Sequence, residues 1–201
     1  MLFLGLTGSI GTGKSTVSKI FKEKNIDIID ADYIAKKLLY INELGYAALI
    51  KEFGLNILAD DKSIDKKKLK DIVFNDENKR LKLNSIMHPL IINKILVDKK
   101  SYEDKNKKMV ILDAPLLFET KLNEYCDFNL VITCKEEIQI QRIKKRDNMD
   151  EELIKNIIKR QMPQNKKRDL ADYYIDNSFD YDSLEEQINR FLIFLEERFE
   201  I

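Results

Sequence analysis

The chain has 201 residues, 44% hydrophobic and 35% charged, proportions that exclude a disordered protein and suit one sizeable core with an elaboration. Thirty-five Lys and Arg offset thirty-five Asp and Glu, which excludes a global attraction to nucleic acid or an acidic membrane surface, so any anion site has to be local. Cys126 and Cys134 have neither metal spacing nor the number for a disulfide framework, and both read as buried fillers in a reducing compartment.

The opening residues, Met1 to Leu6, carry no basic segment and run straight into a glycine-rich turn, so they read as a strand rather than a signal sequence. No apolar run approaches the roughly 20 residues of a membrane span, and the expectation is a cytoplasmic protein. Directly after the Leu2 to Leu6 strand comes Gly8-Ser9-Ile10-Gly11-Thr12-Gly13-Lys14-Ser15, which satisfies G-x-x-x-x-G-K-[ST]. Such a loop needs backbone N–H groups converging on a phosphate. Gly8, Gly11 and Gly13 supply that freedom from Cβ clashes, and Thr12 completes the cradle. Lys14 is the point charge for the β- and γ-phosphates, Ser15 is a hydroxyl ligand for Mg²⁺, and Thr16 is placed for the α-phosphate. The expected cofactors are therefore ATP as co-substrate and Mg²⁺.

The cradle opens a helix over Lys14 to Lys24, with Val17, Ile20 and Phe21 at helical spacing, and Ile26 to Ile29 is the second strand. That strand ends in Asp30-Ala31-Asp32 and is expected beside the phosphate-loop strand of a parallel sheet. From there to the next strand the gap is far longer than a crossover needs. Its apolar positions recur at helical intervals, which predicts an inserted helical subdomain over 33–105. Within it, His88 precedes Pro89, which predicts a helix break, and the only histidine has no partner at metal-ligand spacing.

Met109 to Leu112 is the third strand, and Asp113 at its end is placed to hold Mg²⁺ directly or through water. Phe128 to Thr133 is the fourth strand and Tyr173 to Ile175 a weaker fifth. Arg142 and Arg146, four apart on the helix after the fourth strand, point to one face, where guanidinium groups suit phosphate oxygens. A lid segment follows over 146–168. Ser183 to Phe199 forms a strongly amphipathic last helix. The sum is an α/β fold of one domain over 1–201: a P-loop NTPase-type parallel sheet of about five strands flanked by helices, with the helical insertion and a short lid. The base-reading N-K-x-D and the D-x-x-G switch of a GTPase are not where they would be needed, and the reaction class is phosphoryl transfer to a small molecule.

Asp30-Ala31-Asp32-Tyr33-Ile34-Ala35 resembles the D-A-D-x-I-A signature of dephospho-CoA kinases. Matches to that family continue in order through His88-Pro89-Leu90-Ile91, Pro115 to Glu119, Arg142 to Asp147 and Ala171 to Asn177. The resemblance runs from Leu4 to Asn177. It implies transfer of the ATP γ-phosphate to the ribose 3′-hydroxyl of dephospho-CoA, with the helical insertion binding the acceptor. It further implies Asp32 as general base or hydroxyl-orienting group and Asp30 as its support, Arg142 and Arg146 leading into a lid over the triphosphate, and Asn177 on the nucleotide side. The residues by themselves also allow both acids as N-caps of the helix starting near Tyr33, His88 either lining the acceptor pocket or capping a helix, and Glu119 either at the acceptor site or structural. Ser178-Phe179 stand where the family often has a glycine, and Lys166-Lys167 stand where some relatives have arginine. Another small-metabolite or nucleoside monophosphate kinase is the alternative reading within the class, and a nucleotide-binding regulatory protein the alternative outside it. The expected partners are the small molecules alone, for a monomer or weak homo-oligomer.

Overall fold

The computed structural model describes all residues, Met1–Ile201, which form two compact units: Met1–Ile29 with Ser101–Ile201, and Asp30–Lys100. The first unit is built on a five-stranded sheet of β1 (Leu2–Gly8), β2 (Asp27–Asp30), β3 (Met109–Asp113), β4 (Phe128–Thr133) and β5 (Tyr173–Asp176), in the order β2-β3-β1-β4-β5. β1 pairs in parallel with β3, Leu4 against Ile111, and with β4, Leu6 against Leu130. β5 pairs in parallel with β4.

Every residue of β1 is buried, as expected of a parallel strand covered on both faces. On one face Leu2, Leu4 and Leu6 meet Val17, Ile20 and Phe21 of α1 (Lys14–Glu23), together with Phe128, Leu130 and Ile132 of β4. The last helix of the chain completes this layer through Leu184, Ile188, Phe191 and Leu195, one apolar stripe at helical spacing. Beside them Phe128, Tyr173, Phe191, Phe194 and Phe199 form an aromatic cluster, and the Arg198 guanidinium sits 5.3 Å from the Phe128 ring centre.

The second unit contains α2 (Ala31–Lys37), α3 (Leu44–Phe53), α4 (Lys66–Phe74) and most of α5 (Glu77–Asp104). Asp30 and Asp65 cap α2 and α4 by accepting first-turn N–H groups. The C-terminal part of the first unit adds α6 (Glu136–Asp147), α7 (Glu151–Lys159), α8 (Gln164–Leu170) and α9 (Tyr181–Phe199).

Three expectations are corrected. The second strand does not neighbour the phosphate-loop strand, because β3 lies between them. Parallel strands need a long crossover, and the one that follows β2 returns the chain to β1's side. The helix break at His88-Pro89 is absent: α5 runs through it for 28 residues. A proline there costs the bond to the carbonyl four residues back and bends the helix, but the ladder on either side suffices to continue it. Finally, Cys134 is buried, as expected of a filler, whereas Cys126 is only partly so.

Candidate active site

The glycine-rich loop joins β1 to α1, and its geometry follows from where its carbonyls go. Ser9 O accepts from the Thr12 hydroxyl at 2.9 Å, and Ile10 O accepts from Gln139 Nε2 at 2.5 Å. Gly11 O faces the Cys134 thiol at 3.9 Å, and Thr12 O accepts from Asn177 Nδ2 at 2.8 Å. In a trans peptide the N–H points opposite to the carbonyl, so turning the Ile10 and Thr12 carbonyls into the protein leaves the Gly11 and Gly13 N–H groups facing the other way; Gly11, Gly13, Lys14 and Ser15 all line a cavity of about 410 Å³. At the start of α1 the N–H groups of Lys14 and Ser15 precede the first intrahelical bonds, which begin at Thr16, and add the positive end of the helix dipole.

Gly13 is the N-cap of α1 at φ 91°, left-handed backbone that side chains rarely adopt. A Cβ there would lie 2.0 Å from Asn177 Nδ2, so the bond that anchors Thr12 leaves no room for one. Gly11, at φ +78°, would bring a Cβ to 2.8 Å from Ile143 Cγ1.

Lys14 Nζ is ion-paired with Asp113, the last residue of β3, and both side chains are largely buried. The second carboxylate oxygen of Asp113 accepts from Ser18 Oγ at 2.6 Å. Ser15 lines the cavity on the next position of α1, and Thr16 N–H bonds the Gly13 carbonyl at 3.0 Å in the same turn. A hydroxyl on Ser15 and a carboxylate on Asp113 are hard oxygen donors of the kind Mg²⁺ takes, so this donor set fits the ion.

Arg142 and Arg146 project from α6 and both line the cavity. Arg142 Nη1 reaches Thr12 O at 3.5 Å. Arg146 makes a two-point contact with Asp147, at 2.7 Å each, and that hydrogen-bonded pairing raises its pKa and holds the guanidinium charged. Asn177 follows β5, with its N–H on Thr133 O at 2.8 Å and its side chain on the loop. It is buried and acts here as a brace for the cradle.

Glu119 is bonded to Lys167, 2.9 Å from Nζ, and the same ammonium donates to Pro115 O at 2.8 Å. Lys167 is 1% exposed, so this lysine within the expected lid segment is a buried tether of α8 to the turn after β3. Within the helical unit, Asp30 is the cap of α2, its carboxylate accepting from Tyr33 N at 2.8 Å, while Asp32 sits exposed in the first turn of that helix. The two acids therefore divide: one caps, the other does not. His88 lies half-buried on α5.

The site thus gathers Gly8, Gly11, Thr12, Gly13, Lys14, Ser15, Asp113, Arg142, Arg146 and Asn177 within the first unit, and Asp30, Asp32 and His88 belong to the second. Three glutamines have no counterpart among the residues expected from sequence. Gln139 shares a helix face with Arg142 and Arg146 and is fully buried, a spacing that could have marked it. Gln161 and Gln164 stand in irregular or short segments around Met162-Pro163, where no periodicity singles them out. Gln161 Oε1 accepts from Ile10 N at 2.8 Å, and Gln164 Nε2 donates to Gln139 Oε1 at 2.9 Å.

Residues 2–182 match the family described as CoaE: Dephospho-CoA kinase. The dephospho-CoA kinase of Lactobacillus acidophilus is 43% identical over 196 residues, covering 96% of this chain and 97% of the relative. That of Oceanobacillus iheyensis is 41% identical over 191 residues, covering 95% and 96%. Among solved structures, the dephospho-CoA kinase from Campylobacter jejuni superposes with a TM-score of 0.75 at 30% identity, over 99% of this chain and 98% of that one. A glycine-rich phosphate cradle lined by a lysine and two arginines, on a chain matched along nine-tenths of its length, leads to one assignment: the chain belongs to the dephospho-CoA kinase family.

Proposed function

We propose that this chain transfers the γ-phosphate of ATP to the ribose 3′-hydroxyl of dephospho-CoA, giving coenzyme A and ADP. The observation that carries the reading is the phosphate cradle of Gly8 to Ser15 with Lys14, Arg142 and Arg146, in a chain whose residues 2–182 match this family. Phosphoryl transfer of loose character asks the protein for positioning and charge compensation rather than covalent chemistry. The cradle's N–H groups and Lys14 hold the phosphates, Thr16 serves the α-phosphate, and the two arginines meet charge that develops on the transferring group. Asn177 keeps the cradle in shape from the nucleotide side. Ser15 and Asp113 are the residues that would hold Mg²⁺, which when bound neutralises the β- and γ-phosphate oxygens.

Asp32 accepts the proton of the attacking hydroxyl or orients it, a task suited to a carboxylate on the exposed first turn of α2. Asp30 supports it by capping α2. The helical insertion, 33–105, binds the acceptor, with His88 and Glu119 as acceptor-side residues, and 146–168 is the lid. The partners are the small molecules ATP and dephospho-CoA, with no nucleic acid and no membrane, for a monomeric or weakly self-associating protein of the cytoplasm. No helix is long and apolar enough to cross a membrane.

Incubation with ATP, Mg²⁺ and dephospho-CoA, with AMP as a competing acceptor, tests the reading by product mass. The expected product is coenzyme A. Phosphorylation of AMP in preference, or of neither, overturns it.

A further inference from the structure

The Ile10 peptide, in the middle of the cradle, is gripped from both ends by glutamine side chains. Its carbonyl accepts from Gln139 Nε2 at 2.5 Å, and its N–H donates to Gln161 Oε1 at 2.8 Å. Gln139 is in turn bonded through its oxygen to Gln164 Nε2 at 2.9 Å, and Gln164 Oε1 accepts from Cys134 N at 3.0 Å. Gln139 and Gln164 therefore spend their amides on protein groups. Gln161 does not.

A backbone N–H can bond only the oxygen of an amide side chain, so the contact with Ile10 fixes which end of Gln161 faces the loop. Its Nε2 group, with two N–H donors, bonds no protein acceptor. Gln161 also lines the cavity that Lys14, Ser15, Arg142 and Arg146 line. A primary amide held by one end, with its donor end left over at the wall of an anion-binding cavity, is pre-oriented for phosphate oxygens.

We infer that Gln161 is a γ-phosphate-binding residue: its oxygen is anchored on the Ile10 N–H, and its Nε2 donates to an oxygen of the terminal phosphate of a bound nucleoside triphosphate. The residue stands between α7 and α8, so the bond ties the segment that follows α6 to the cradle and gives it a way to tell a triphosphate from a diphosphate. The inference rests on the nucleotide part of the function proposed above and is independent of the acceptor.

The substitution Gln161→Glu separates donor from anchor. A carboxylate still accepts from the Ile10 N–H, but it offers no donor and puts negative charge on the phosphate wall. Gln161→Ala removes both bonds. Calorimetric titration of the full chain with Mg²⁺ and either ADP or a non-hydrolysable ATP analogue is expected to show triphosphate binding weakened about 10- to 100-fold in Gln161→Glu, a hydrogen bond to a charged group being the thing lost. Diphosphate binding should stay within about two-fold of the parent. Gln161→Ala should weaken triphosphate binding to a smaller degree, again leaving the diphosphate.

If Gln161 only braces the loop, Gln161→Glu binds both nucleotides as the parent does, and Gln161→Ala weakens both equally; either result overturns the inference. Turnover of dephospho-CoA by the parent is measured in parallel. A parent that discriminates the two nucleotides but does not phosphorylate dephospho-CoA refutes the acceptor assignment, and the role of Gln161 is then decided by the titrations alone. A parent that binds neither nucleotide overturns both.

Discussion

Lys14 and Asp113, ninety-nine positions apart in the chain, meet as an ion pair at the C-terminal edge of the two central strands. The pairing joins the first residue of α1 to the last residue of β3, and Ser18, one turn further along α1, completes it with a 2.6 Å bond to the second carboxylate oxygen. Truncating one partner leaves the other charge with little solvent, since both side chains are mostly covered. Asp113→Asn is expected to lower stability by about 1–3 kcal/mol, read from urea midpoints. Lys14→Ala should leave a folded protein with little turnover; near-normal activity in it would remove the nucleotide-site assignment.

Asp30 and Asp32 are separable by experiment because only one of them caps. Asp30→Ala should destabilise α2 by about 1 kcal/mol, while Asp30→Asn, an equally good cap, should leave thermal stability unchanged. Asp32→Asn is expected to leave the melting temperature and ATP affinity as they are and to lower kcat about 10²- to 10⁴-fold. A kcat within a few-fold of the parent retires Asp32 as the base.

Lys167 ties the far end of the 146–168 segment down, whereas α7 inside that segment buries only Ile154. Few buried contacts mean a low local opening energy. Amides of Glu151–Lys159 are therefore expected to exchange quickly in the free protein and to gain protection when ATP and dephospho-CoA are added together; unchanged protection refutes a lid. Lys167→Met should lower stability by about 1–3 kcal/mol, discounted from a fully buried pair because Glu119 keeps some solvent. It should also loosen that segment even with ligands bound.

Burial pushes the Cys134 thiol pKa up, against a smaller opposing pull from Arg142. The native state therefore holds this proton more tightly than the unfolded chain. The resulting stabilisation is whole below the unfolded thiol value, near about 8.5, and is lost as pH rises through the native one. Cys134→Ala should flatten that alkaline loss. Iodoacetamide at neutral pH should modify the half-buried Cys126 well before Cys134, and the reverse order would contradict the burial.

The parts of this molecule that repeat a local rule could be read directly. β1, β3 and β4 are predominantly apolar runs, α9 is a clean stripe, and the glycine spacing of the loop is demanded by backbone geometry alone. What escaped depends on distant partners. Strand order follows from which crossover passes which side, so β3's position between β1 and β2 has no local signature. Pro89 looked like a stop because its own preferences are local, while the persistence of α5 comes from the turns around it. Lys167 and Gln161 sit among polar neighbours that look like solvated surface; only the folded chain reveals that the one is enclosed and the other touches Ile10.

The strand order also sets a timetable for the emerging chain. β1 is made first, yet both of its neighbours come late, at Met109–Asp113 and Phe128–Thr133, so for roughly the first hundred residues of synthesis it has no strand to pair with. The Asp30–Lys100 unit, by contrast, is continuous in sequence and can collect its own contacts while the rest is still awaited. The expected consequence is that nascent chains halted before β3 carry helical structure and an unpaired, largely apolar first strand. Such intermediates should be captured by hydrophobe-binding chaperones, and lengthening the halted chain past Thr133 should release them.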